Sequence, residues 1–461
     1  MILELSALEQ ARCIRERAVS SEELTRLYLQ RIDRLNGRLQ AYTSVLGRRA
    51  LLRARWLDRR LKGRDLAHLP PLYGVPTGIK DLVQVRGTPT RLGSRAYRYF
   101  VAPVDAPGAK RLFAGGMVSL GKLATSELGA LPITEPDIHP PTRNPWNLDH
   151  TPGGSSGGSG AAMAAGLLSV AQGSDGAGSI RIPSSCCHVF GFKPSSMRIG
   201  NMYGGLNMYG LSVMGPLART VEDAAVMVDV LAGTPTRAMA EHNGLLAQCR
   251  EAPRPLRVRM WLTSPIGVPV VEEVAQAVRK TGRMLEDLGH RVEEAEAVRG
   301  EIDEFLPLWQ RVFAQIPVLR ESVLQPVTRW LRARGRRVAT EEAIACQRAL
   351  AMRVKDAFGD ADLMLAPTMP ILPPRIGEFA HLGPEEMFYA VAVMGAFTAV
   401  FNVTGQPAAS IPAGVTEAGS LPYAVQLIGR MDRDGEVLAA CRQLEQAMPW
   451  RERKPSGLAG L

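Results

Sequence analysis

Long apolar runs are missing from this chain. No stretch approaches the roughly 18 consecutive apolar residues of a membrane-spanning helix, although 46% of its 461 residues are hydrophobic. The opening MILELSALEQARCIRERAVSSEEL lacks the order of a secretory signal, so cytoplasmic residence is the expectation. Cysteines are few, at 13, 186, 187, 249, 346 and 441, with no CxxC and no zinc spacing; adjacent Cys186 and Cys187 do not suit a bridge. Neither a metal site nor a disulfide framework is expected. The seven histidines, at 68, 139, 150, 188, 242, 290 and 381, fall in no triad framework, which removes the commonest general base. The net charge of +10 is dispersed and comes with no stacking set or recognised motif, so nucleic acid is not an expected partner.

Glycine and serine are concentrated instead. From Thr151 to Pro183 the chain reads TPGGSSGGSGAAMAAGLLSVAQGSDGAGSIRIP, two glycine-wrapped serine clusters around Ser155 and Ser179 joined by a small-residue apolar run. Glycine serves where a backbone takes positive φ or approaches a ligand closely, so two such loops can aim N–H groups and hydroxyls at one point. That is what serine acyl transfer needs: a neighbour to take the hydroxyl proton and fixed donors to hold the oxyanion. With histidine set aside, Lys80 in YGVPTGIKDL offers the base, following a strand-like run in an apolar context. Burial would have to lower its pKa by about three units from about 10.4. Asp81 is a candidate salt-bridge partner for it. Asp175 and Arg181 flank Ser179 with opposite charges and, with Ser156, are read as loop-supporting; SIRIP reads as the next strand. Two short matches carry nothing. GGMVSLGKL has Leu123 where a phosphate-binding loop needs serine or threonine, and GGSSG meets the GxSxG pattern without an acid and histidine framework.

The segments GIKD, PGGSSGGS and GSDGAGSIRIP, in this order, resemble the amidase signature hydrolases. The resemblance continues through PWNLDHTPGG, GFKPS, GPLARTVEDAA, LMLAPTMPILPPRIGE and FNVTGQPAASIPAG to LPYAVQLIGR, nearly the whole chain. It implies a catalytic set of Lys80, Ser155 preceded by a cis peptide, and the nucleophile Ser179, with an oxyanion hole from the backbone of Gly176, Ala177, Gly178 and Ser179. It implies no cofactor and no metal, and a small-molecule amide as substrate. The chain departs from the usual pattern at Ser174 and Ala177, and at His188, read as packed or hydrogen-bonded. Leu123 and Ala124, with Tyr423 and Ala424, suggest a bulkier, less polar pocket wall, hence an apolar or aryl acyl group.

Apolar residues at helical spacing make residues 1–60 a helical segment packing on the core, with SSEE as a helix start. From about 70 onward, short β-like runs alternate with helices, and PLRVRMWL with VEEVAQAVRKTGRMLEDLGHRVEEAE reads as strand, helix, strand. The alternation indicates α/β with a large mixed sheet. The resemblance implies one amidase core over 61–455, helices on both faces, with a variable pocket or cap segment about 300–340. LGPEEMFYAVAVMGAFTAVFNVTGQP and GEVLAACRQLEQAMPW read as late helices. The cluster RWLRARGRR, Arg329 to Arg337, reads as a solvated helix end beside a pocket-lining helix; the sharper reading is a basic membrane- or partner-facing cap. Four activities stay open: an amidase, the glutaminase subunit of a tRNA-dependent amidotransferase, a biosynthetic acyltransferase, and a degenerate binding protein. A homo-oligomer is also left open.

Overall fold

A computed structural model describes residues 2–61, 69–200, 209–236, 239, 244–418 and 420–458. His68 and His242 lie outside the described residues. Eleven strands form one sheet: β1 (Tyr42–Val45), β2 (Pro76–Lys80), β3 (Val118–Leu123), β4 (Val170–Asp175), β5 (Phe190–Lys193), β6 (Val213–Ala218), β7 (Arg257–Met260), β8 (Arg291–Glu294), β9 (Leu363–Pro367), β10 (Ala408–Val415) and β11 (Pro422–Gly429). Their order is β1-β3-β2-β4-β6-β5-β10-β11-β9-β7-β8. β3, β2 and β4 run parallel, as do β9, β7 and β8, while antiparallel pairs fill the middle. The sheet is therefore mixed. Helices cover both faces, and β2, β3 and β4 are buried along their whole length, as strands covered on two sides are.

Local chemistry accounts for the elements. Ser20 caps the helix Ser21–Leu39 in a capping box with Glu23. The segment before residue 61 supplies two further helices, Ala7–Arg15 and Gly47–Leu61, and also an edge strand, since β1 pairs with β3. The strand, helix, strand reading holds: β7 and β8 are parallel and joined through the helix Glu272–Asp287.

Two readings are corrected. The residues after Ser179 form a helix, Arg181–Cys187, and not a strand. The Asp175 carboxylate accepts from the N–H groups of Ile180 and Arg181, which starts a helix, and Pro183 sits in the first turn, where no intrahelical N–H is needed. The run from Leu382 to Pro407 is three short pieces, Pro384–Ala392, Val393–Gly395 and Val400–Val403, rather than one helix.

Lys80 and Asp175 end β2 and β4, which are neighbouring parallel strands. The C-terminal edge of parallel strands is where α/β sheets open to ligands.

Candidate active site

Lys80 is fully buried, and its Nζ lies 2.7 Å from Ser155 Oγ and 3.0 Å from Ser174 Oγ, donating also to Ser174 O at 3.4 Å. Burial lowers its pKa to about 7, against the attraction of Asp175. Asp81 is not its partner. That carboxylate is held by Lys122 Nζ at 2.9 Å and accepts from the Arg91 N–H at 3.2 Å. Asp175 is likewise engaged by the Arg181 guanidinium at 3.0 Å through two nitrogens. With both nearby carboxylates paired elsewhere, the attraction of Asp175 offsets only part of the cost of burying an ammonium at Lys80, and the neutral amine becomes accessible near neutral pH.

Ser155 enters the site through a cis Gly154–Ser155 peptide, just before the helix Gly157–Ala164. That helix lies against the sheet so closely that a Cβ at Gly158 would sit 2.2 Å from the Ala124 nitrogen. Ser156 turns away from the cleft: its Oγ donates to Ser174 O at 3.2 Å and accepts from the Ser174 N–H at 3.3 Å. Ser155 and Ser179 line one cavity together. Among the described residues no hydrogen bond engages Ser179 Oγ, leaving that hydroxyl open to the cleft. Apo sites are often looser in this way than their reactive complexes.

The turn from Gly176 to Ser179 is held from behind. Asp175 Oδ1 accepts from the Gly178 N–H at 2.7 Å, and the Thr398 hydroxyl donates to Ala177 O at 2.8 Å, so one peptide unit is gripped at both ends. Gly178 has φ +124°, and a Cβ there would meet Thr398 Oγ1 at 2.2 Å. Gly178 N–H therefore points back to Asp175. No partner among the described residues engages the N–H groups of Gly176, Ala177 and Ser179. Ala177 does not take positive φ, so its methyl is tolerated.

Arg181 is fully buried and reaches Gln426 Oε1 at 3.1 Å, Thr398 O at 2.9 Å and Asn402 Oδ1 at 2.6 Å. Burial would raise the Asp175 carboxyl, but Arg181 outweighs it and holds that group below the usual carboxylate range. Asn402 closes the network by donating to Asp175 O at 2.8 Å. Sequence reasoning missed Thr398, Asn402 and Gln426; the only signal for Asn402 and Gln426 was membership of the FNVTG and LPYAVQ runs, and Thr398 lay in the run read as a late helix.

Two clefts of about 930 and 910 Å³ meet at Ser179, and Trp309 lines both. Trp309 stands on the helix Ile302–Ala314, between Phe305, tilted against it at 5.5 Å, and Phe313, edge-on at 5.0 Å. The four substitutions read as pocket wall line neither cleft. Leu123 and Ala124 are fully buried in and after β3, and Tyr423 packs over Gly414 beside buried Ala424. The apolar wall comes instead from Ile182, three residues after Ser179, and from Phe388 and Val391 far off in sequence. His188 caps the helix Arg181–Cys187 in a left-handed conformation and packs edge-on against Trp146 at 5.3 Å, away from both clefts. Burial, and then Arg453, lower its pKa to about 4. The basic cluster is largely tied down: Arg332 is buried, capping the carbonyls of Phe313 and Ile316, and Arg336 pairs with Glu321. No helix among the described residues is long and apolar enough to cross a membrane.

A family model described as Amidase matches residues 23–438. "Putative amidase AmiB2" of Mycobacterium tuberculosis is 38% identical over 465 residues, covering 98% of this chain and 97% of that one. Among solved structures, a 6-aminohexanoate cyclic dimer hydrolase superposes with a TM-score of 0.89 at 30% identity, covering 99% of both chains. A bacterial aryl acylamidase of the amidase signature family superposes with a TM-score of 0.85 at 27% identity, covering 97% of both.

Proposed function

The chain belongs to the amidase family, and on that premise we propose that it cleaves a carboxylic amide through a seryl acyl-enzyme, with Lys80 as base, Ser155 as relay and Ser179 as nucleophile. Neutral Lys80 takes the Ser155 proton as Ser155 takes that of Ser179. Ser179 Oγ then bonds to the amide carbon, whose oxygen gains the negative charge. The free N–H groups of Gly176, Ala177 and Ser179 receive it, each worth on the order of 3 kcal/mol. Collapse breaks the C–N bond, and the amine leaves with the proton returned through Ser155. Water, deprotonated along the same route, releases the acid and restores Ser179.

One observation carries this reading. A fully buried lysine without a carboxylate partner lies 2.7 Å from a serine that shares a cavity with the proposed nucleophile. A surface lysine or a structural glycine-serine loop has no reason for that arrangement. The acyl group is apolar or aryl, since the cleft beyond Ala177 and Ile182 is walled by side chains such as Phe305, Phe388 and Val391.

Intact mass after treatment with a fluorophosphonate, on wild type and Ser179→Ala side by side, tests the mechanism. A single adduct on wild type that is lost in the variant is expected. An adduct that persists in Ser179→Ala, or none on well-folded wild type, would sink the assignment.

A further inference from the structure

The two clefts differ in which catalytic groups they contain. Ser179 and Trp309 belong to both, but Ser155 and Ser174 line only the second, whereas Ala177 and Ile182 line only the first. We infer that the first cleft holds the acyl arm, the second holds the amine arm, and the substrate is a secondary amide with an apolar group on nitrogen. The inference rests on the relay through Ser155 proposed above. Whatever returns a proton to the leaving nitrogen must stand beside it, so the nitrogen and its substituent face the Ser155 side. The acyl chain, bonded to the same tetrahedral carbon, is then directed to the other side of Trp309.

The amine-side cleft is not shaped for ammonia. It extends past Ser155 to Leu82, Leu128, Val312, Phe313 and Ile316, and no charged side chain lines it among the described residues. A primary amide would leave that apolar surface in contact only with water, whereas a hydrocarbon arm covers it and gains the burial energy. Glutamine carries its α-carboxylate and ammonium on the acyl arm and releases ammonia, so it too would leave this amine-side surface uncovered, which speaks against a glutaminase. The charged residues that line the first cleft are Arg299 and the N-cap Glu301, which precede the helix Ile302–Ala314, and Glu304 in its first turn, which is paired with Arg353 at 2.6 Å.

The test holds leaving-group chemistry fixed by comparing N-hexyl with N-methyl amides of one acid, since the two amines are equally basic. The acyl length is then varied with the N-methyl group kept. On wild type, kcat/KM for the N-hexyl amide is expected to exceed that of the N-methyl amide by at least about ten-fold, each buried methylene contributing. Half-buried Ile316 and Ile266 line the second and first clefts respectively. Ile316→Asn should shrink the N-hexyl advantage by about ten-fold, and Ile266→Asn should shrink the preference for longer acyl groups instead. Val312→Thr, a closer match in shape, serves should Ile316→Asn fail to fold. Fluorophosphonate labelling of each variant reports whether its site is intact. Equal rates on the two N-substituents with labelling intact, or a reversed pattern between the variants, would overturn the inference while leaving the acyl-enzyme reading standing. Loss of labelling in wild type would instead remove the reading beneath it.

Discussion

At the scale of single residues, the decisive quantity is the charge on Lys80. Its pKa is brought to about 7 by burial, the largest cause, against Asp175. As a base it works only when neutral, so activity should be low where the amine is protonated and rise as pH passes through about 7. The sign follows from the role: a lysine acting as a general acid would give the opposite slope. The measurement is kcat/KM from pH 5.5 to 9.5 on one uncharged amide, for which the free-enzyme limb reports this group. A flat profile across that range would remove Lys80 as the titrating base. Ser174 is the neighbour that the sequence marked only as a departure; its hydroxyl, 3.0 Å from Nζ, gives the lysine a second polar contact where a carboxylate would have fixed the positive charge.

At the scale of elements, the turn after β4 shows what a sequence can and cannot disclose. The glycines of GSDGAGS announce a turn with close contacts, and the resemblance carried by GIKD, PGGSSGGS and GSDGAGSIRIP pointed to Lys80, Ser155 and Ser179 as candidates. The pairing of Asp175 with Arg181 was legible because the two are near in sequence and opposite in charge. Their remaining partners were not, since Gln426 and Asn402 lie 245 and 221 positions from Arg181 and only the fold brings them together. Leu123 and Ala124 were misread for a related reason: a change in polarity says nothing about whether a side chain faces a cleft or a neighbouring strand. The network has a measurable consequence. Asp175→Asn removes the only carboxylate among the described residues that meets the Arg181 guanidinium, leaving a fully buried charge with neutral acceptors. Breaking one side of such a pair typically costs about 3–5 kcal/mol. Denaturant unfolding of the variant should show a loss of that order, with fluorophosphonate labelling slowed even under conditions where the protein is folded, because Gly178 also loses its carboxylate acceptor. A loss under about 1 kcal/mol would mean that the turn does not depend on this pair.

At the scale of the whole molecule, the question is how the first sixty residues are joined to the rest. Periodicity made their helices legible, while the edge strand β1 was hidden because YTSV carries no alternation long enough to read. Their attachment is chemical as well as apolar. Asp223, on the helix Val221–Ala232, accepts from the N–H groups of Ala7 and Leu8 at 2.8 and 2.9 Å, tying the start of the helix Ala7–Arg15 to a residue more than two hundred positions away. Burial raises the Asp223 pKa to about 6, opposed by those same hydrogen bonds. A carboxyl with a folded-state pKa above its unfolded value of 3.8 favours the folded chain below about pH 4, and that contribution is lost as pH rises through about 6. At neutral pH the native state therefore holds an ionised, buried carboxylate that it would hold more easily protonated. Asp223→Asn keeps an acceptor for one of the two N–H groups and removes the titration. Its melting temperature relative to wild type should be more favourable at pH 7.5 than at pH 5, by an amount the two thermal scans give directly. If we are right that the N-terminal segment and the core unfold together, both proteins will melt in one transition at each pH. A separate low-temperature transition in the variant would show instead that the segment is a distinct unit held on by this carboxylate, and a difference of the opposite sign between the two pH values would show that Asp223 is held in the folded chain as a favoured anion.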